Sequence, residues 1–157
     1  GGQELELAIQ RLQRYYHRWP DAHVTVGNHD RIIMRKAQSG GVPKEWVKDY
    51  KEVLRTPNWK FVTDVEIDDV LYIHGEAGTA KTKARSDMRS TVQGHLHTQA
   101  YTEYFVGANS RVFGCQVGCG IDAKSYAMAY MKVGKKPAIG CAVVLGGKTA
   151  VNELMVL

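Results

Sequence analysis

The chain has 157 residues, 44% of them hydrophobic and 24% charged, with a net charge of +5. That length suits one domain with a sizeable core, and no apolar run approaches the roughly 18 residues of a membrane span, so a membrane-spanning role is set aside. The basic balance weakly favours anionic partners, phosphate esters or nucleic acid among them, although an ordinary solvated surface is the better account of it.

The N-terminus, Gly1-Gly2-Gln3-Glu4, has neither an initiator Met nor an apolar signal core and reads as an engineered remnant or the edge of a truncation. From Glu4 to Trp19, the residues Leu5, Ile9, Leu12, Tyr16 and Trp19 recur at helical spacing and form one apolar stripe, which Pro20 ends. His23-Val24-Thr25-Val26 is a short β-branched strand closing at Gly27. Residues 31 to 38 start a second helix, broken by Ser39-Gly40-Gly41. Pro43 then opens a third from Lys44 to about Leu54, with Trp46, Val47, Tyr50 and Leu54 on its apolar side.

Phe61 to Ile67 alternates as a strand, Asp68-Asp69 turns, and Val70 to Ile73 is a continuous apolar strand running into His74. Gly78 to Met88 reads as a Lys/Arg-rich surface helix, and Thr91-Val92-Gln93 as a short strand leading to Gly94. Tyr101–Val106 and Arg111–Val117 flank the hairpin loop Gly107-Ala108-Asn109-Ser110. Ala138–Leu145 and Thr149–Leu157 form a second hairpin, whose Gly146-Gly147 supplies positive φ. Helix and strand alternate early and antiparallel strand dominates late. The expected fold is therefore α/β, a layered sandwich with mixed sheets in a single domain over residues 1–157. The three cysteines, Cys115, Cys119 and Cys141, are an odd number without zinc spacing. Cys115 and Cys119 read as neighbours on one strand face, in packing roles that fit a reducing, cytoplasmic setting.

Three short strings follow strands, where open α/β sheets place their sites: Gly27-Asn28-His29-Asp30, His74-Gly75 and Gly94-His95-Leu96-His97. Asn28 offers a neutral carbonyl ligand. His29 can donate a proton or hold a phosphoryl oxygen, and Asp30 could fix its ring from the far nitrogen. The plainer reading of that string is a turn, since Asn, Gly and Asp all favour turns. For His74 the plainer reading is a hydrogen-bonded strand end. In an extended segment His95 and His97 face the same way, so both imidazoles reach one site while Leu96 points to the core. Imidazole suits Zn, Mn, Fe and Ni alike.

In kind, order and placement these strings resemble the later motifs of the calcineurin-like metallophosphoesterases. The resemblance covers nearly all of this chain, which corresponds to the C-terminal two-thirds of the family's domain. It implies a metallophosphoesterase-like fold, N-terminally incomplete here, and metal-dependent hydrolysis of phosphate mono- or diesters. It further implies that Asn28, His74 and His95 bind one divalent metal and His97 the other. His29 would be the acid or phosphate-holding group, oriented by Asp30. The family's earlier Asp-x-His and Gly-Asp-x-x-Asp motifs, which supply the bridging carboxylate, have no counterpart here. Asp21 and His23 sit on the strand that already delivers Asn28 and are not assigned to that role. Weak metal binding completed by water is therefore expected of the chain alone. The alternative is a truncated or degenerate, non-catalytic member that binds anions or nucleic acid, the latter through Lys81, Lys83, Arg85 and Arg89.

Overall fold

Apolar residues at helical steps build the first element, α1 (Gly2–Arg18). Ile9 is its one buried residue, Leu12 and Tyr16 are half-buried, and Leu5 and Trp19 at the ends of the expected stripe are exposed. The computed structural model describes residues 2–121 and 136–155. The expected last strand therefore runs partly outside the described residues. The chain divides into two compact units, with the boundary between Thr63 and Asp64.

In the first unit, β1 (His23–Thr25) and β2 (Lys60–Val62) pair in parallel, His23 opposite Lys60. Between them lie α2 (Ile32–Ser39), a 3-10 turn at Lys44–Trp46 and the one-turn α3 (Tyr50–Val53). The expected continuous helix from Lys44 to Leu54 is thus two pieces. Val47 is extended, with φ −103° and ψ 122°, and the Asp49 carboxylate accepts from Glu52 N–H at 2.9 Å. An Asp that caps a new helix competes with continuation of the old one. Trp59 is buried, its ring edge-on to Tyr16 and its indole N–H donating to the Trp19 carbonyl at 2.8 Å.

In the second unit, β3 (Asp64–Ile67), β4 (Val70–Ile73), β5 (Thr91–Gln93), β6 (Ala100–Val106) and β7 (Arg111–Val117) form a mixed sheet in the order β3-β4-β5-β7-β6. The strand expected from Phe61 to Ile67 divides at Thr63, because its first half pairs with β1 and its second half with β4. Asp68 and Asp69, with φ of 51° and 61°, make the tight β3–β4 turn; two successive positive φ values match the twist of a two-residue hairpin. Neighbours β4, β5 and β7 run parallel, with α4 (Ala80–Asp87) as the crossover from β4 to β5.

Alternation along the strands divides the sheet into two faces. One carries Val70, Tyr72, Val92, Phe113, Cys115 and Val117 and packs against Ala142, Val144 and Ala150 of the hairpin β8 (Gly140–Leu145) and β9 (Thr149–Leu154). This is the core, and each of its large apolar side chains contributes about 1.5–3 kcal/mol by leaving water. The other face receives α4. A Cβ on Gly114 would lie 2.5 Å from the Lys81 Cα, so the missing side chain lets helix and strand approach directly. Cys115 lies on the core face, whereas Cys119 lies beyond the end of β7, after Gly118 with φ 75°. The two do not share a strand, because the chain turns at that glycine. The observed class is α/β with mixed sheets, as expected. Among the described residues no helix is long and apolar enough to cross a membrane.

Candidate metal site

His74 follows β4 and His95 follows β5, so parallel pairing brings the two strand ends together. His74 Nε2 and His95 Nδ1 stand 3.1 Å apart, with ring centroids at 5.1 Å and planes at 74°. Both residues are half-buried. At that distance one ring N–H donates to the other's lone pair.

The loop that presents His95 is not extended. His95 has φ 66°, and the Leu96 N–H donates to the Gly94 carbonyl at 2.8 Å, closing a three-residue turn around it. A γ-turn centred on a positive φ is rare and strained. The Gln99 N–H then reaches the Leu96 carbonyl at 3.2 Å in a second turn. The strand alternation expected for His95 and His97 therefore does not hold, since tight turns replace the strand after Gln93. Leu96 is half-buried and His97 exposed. The His97 carbonyl accepts from the Ala138 N–H at 2.8 Å, which ties this loop to the segment entering β8.

In the first unit, Gly27-Asn28-His29-Asp30 forms the turn from β1 into α2. The Asp30 carboxylate accepts from the Gly27 N–H at 2.7 Å rather than from the His29 ring. The Gly27 carbonyl takes the Arg31 side chain at 3.3 Å, and the Tyr50 hydroxyl donates to the Asp30 carbonyl at 3.0 Å. Burial, with help from the Asp30 charge, raises the Tyr50 phenol above its ordinary value and keeps it a donor. Asn28 is half-buried and His29 exposed, so the imidazole beside the proposed ligand is open to solvent. The string is a turn, as its plainer reading expects, and the Asp30 carboxylate closes that turn instead of orienting the His29 ring.

Among the described residues no group of three or more His, Cys, Asp and Glu side chains is arranged to hold a metal. The histidine pair thus offers two nitrogen donors, and an ion there would complete its shell with donors of another kind, water among them. The cations of α4 and its flank are mostly engaged: Lys81 with Glu103 at 3.4 Å, Lys83 with Asp87 at 2.9 Å, and Arg89 with Glu66. Arg85 has no ion-pair partner among the described residues and lines an open groove of about 490 Å³ with Lys81, Thr82, Ser86, Glu103 and Phe105. The Glu103 carboxylate in that groove opposes a polyanion.

Sequence reasoning missed Gln93 and Gln116, both buried beneath the histidine loops. The available signal was a polar amide inside an apolar run on a central strand, where an unpartnered polar group is costly. Comparison with known proteins returns no matching family model, no matching curated protein and no matching solved structure.

Proposed function

We propose that this chain supplies the histidine part of a divalent-metal site that hydrolyses phosphate mono- or diesters, within a metallophosphoesterase-like fold. The observation that carries the reading is the 3.1 Å separation of His74 Nε2 and His95 Nδ1. Two imidazole nitrogens about 2.0–2.1 Å from one ion stand roughly 2.9 Å apart at a right angle and roughly 3.4 Å apart at the tetrahedral angle. The observed distance lies between these limits, so the spacing of the two nitrogens fits one ion, with each ring turning to aim its lone pair at it. The order of the three strings along the chain supports the same reading.

A bound divalent ion would supply Lewis acidity toward a phosphoryl oxygen and would acidify its water. The resemblance implies, beyond this pair, a carbonyl ligand from Asn28, a second ion at His97 and proton donation to the departing oxygen by the solvent-open His29. The role of Asp30 changes in light of its hydrogen bond: it shapes the turn that presents His29, through the Gly27 N–H. Nucleic-acid binding through α4 gains less support, because three of its four proposed cations are paired with carboxylates.

The test measures binding of Mn²⁺ or Zn²⁺ by calorimetry together with turnover of a phosphodiester. Low turnover is expected, since no bridging carboxylate is assigned in the 157 residues. His95→Ala should weaken metal binding by more than the roughly 10- to 100-fold that loss of an outer-shell partner costs. His29→Gln should leave metal binding intact while slowing a poor leaving group about 10²- to 10⁴-fold and a good one less. Unchanged metal affinity in His95→Ala would sink the proposal.

A further inference from the structure

Gln93 and Gln116 are paired residues on the neighbouring strands β5 and β7, and they are 1% and 0% exposed. A buried amide left without partners is costly, and apolar side chains would pack as well against the alanines of α4. Both amides are instead committed to backbone beside the histidines. Gln116 donates through Nε2 to the Gln93 carbonyl at 3.1 Å and to the Gly94 carbonyl, and its Oε1 accepts the Ala80 N–H at 3.1 Å. Gln93 donates through Nε2 to the Gly78 carbonyl at 3.2 Å. Its side chain also lies under Gly75, where an added Cβ would come 2.5 Å from the Gln93 Cδ.

Gly75 follows His74 and Gly94 precedes His95, so Gln93 supports the loop after His74 and Gln116 the loop that presents His95. The Gly94 carbonyl is held from two sides, by the Leu96 N–H at 2.8 Å and by Gln116 Nε2. That fixes the peptide plane entering His95 and supports its positive φ, a conformation that is unfavourable for a non-glycine residue. Gln93 holds the other loop through its bond to the Gly78 carbonyl, four residues after His74, with its side chain lying under Gly75.

We propose that Gln93 and Gln116 are positioning residues that set the separation of the His74 and His95 ring nitrogens. The proposal rests on the reading of this pair as a metal site only for its consequence in affinity, not for the geometry itself. Polar groups that orient metal ligands typically change affinity 10- to 100-fold when removed.

The test uses the 157-residue chain with Gln116→Met, which removes all three bonds, and Gln93→Met, which keeps volume and removes only the bond to Gly78. Thr91→Val serves as a control: Thr91 is buried on β5 and its hydroxyl donates to the Arg89 carbonyl, away from the histidine loops. Two readouts are taken, the imidazole ¹⁵N shifts of His74 and His95 without metal, and Co²⁺ affinity from its visible absorption. Gln116→Met should weaken Co²⁺ binding roughly 10- to 100-fold and uncouple the two rings. Gln93→Met should do so to a smaller degree, and Thr91→Val should lower stability while leaving both readouts at wild-type values. Should Gln116→Met fail to fold, Gln93→Met decides. Wild-type ring shifts in both glutamine variants, or equal losses in Thr91→Val, would overturn the proposal. If the wild-type chain binds no Co²⁺, the metal reading falls and the ring shifts alone judge the positioning role.

Discussion

The Gly27–Asp30 turn and the His74–His95 pair present the same kind of side chain by opposite means. The turn is closed mainly by bonds that reach three or four residues, Asp30 to the Gly27 N–H and Arg31 to the Gly27 carbonyl, with the Tyr50 hydroxyl as its long-range support. The pair is 21 residues apart, and the amides beneath it reach partners 15 to 36 residues away. Local bonds survive loosening of a core, whereas a geometry assembled from separate strands requires the strands to be in register. Two motifs of similar appearance in print therefore depend on different parts of the folding energy.

The largest effect that would sharpen this comparison comes from the core. Phe113 is 1% exposed between the sheet and the β8–β9 hairpin, and Phe113→Ala should cost about 3–5 kcal/mol in denaturant unfolding. At intermediate denaturant the ring signals of His74 and His95 should broaden first, while backbone shifts of residues 27–31 stay near native. Simultaneous loss of both would break the comparison. A smaller effect is expected from the turn itself. Asp30→Ala removes the carboxylate from the Gly27 N–H and should cost about 1 kcal/mol. Its chemical-shift changes should be confined to the turn and the start of α2, with the His74–His95 coupling intact.

This same difference explains what the sequence disclosed. The α1 stripe, the Gly146-Gly147 hairpin and the Asp68-Asp69 turn rest on neighbours within a few residues, and all three were legible. The break at Val47 was not, because helical spacing of apolar residues continues past Asp49 and only the cap reveals the interruption. Nor was the division of the 61–67 strand, which depends on β1 and β4 as distant partners. In the candidate site, placement of His74 and His95 after strands was legible, whereas the turn at His95 was not. The Gly94 carbonyl entering that turn is held by Gln116, an amide visible in its apolar run but whose partners emerge only when β5 and β7 are laid side by side.

The three cysteines are graded by depth: Cys141 exposed on β8, Cys119 half-buried, and Cys115 fully buried where the hairpin covers the sheet. Burial pushes the Cys115 thiol above its ordinary value, against a lesser opposing effect of the Thr102 and Asn152 side chains. Alkylation requires thiolate and access, so Cys115 is protected on both counts until the hairpin lifts. The chain therefore carries its own chemical clock. Under mass-spectrometric alkylation the exposed Cys141 should react first and the buried Cys115 last, limited by opening of β8–β9. Peeling of that hairpin can thus be timed separately from global unfolding, with no label introduced.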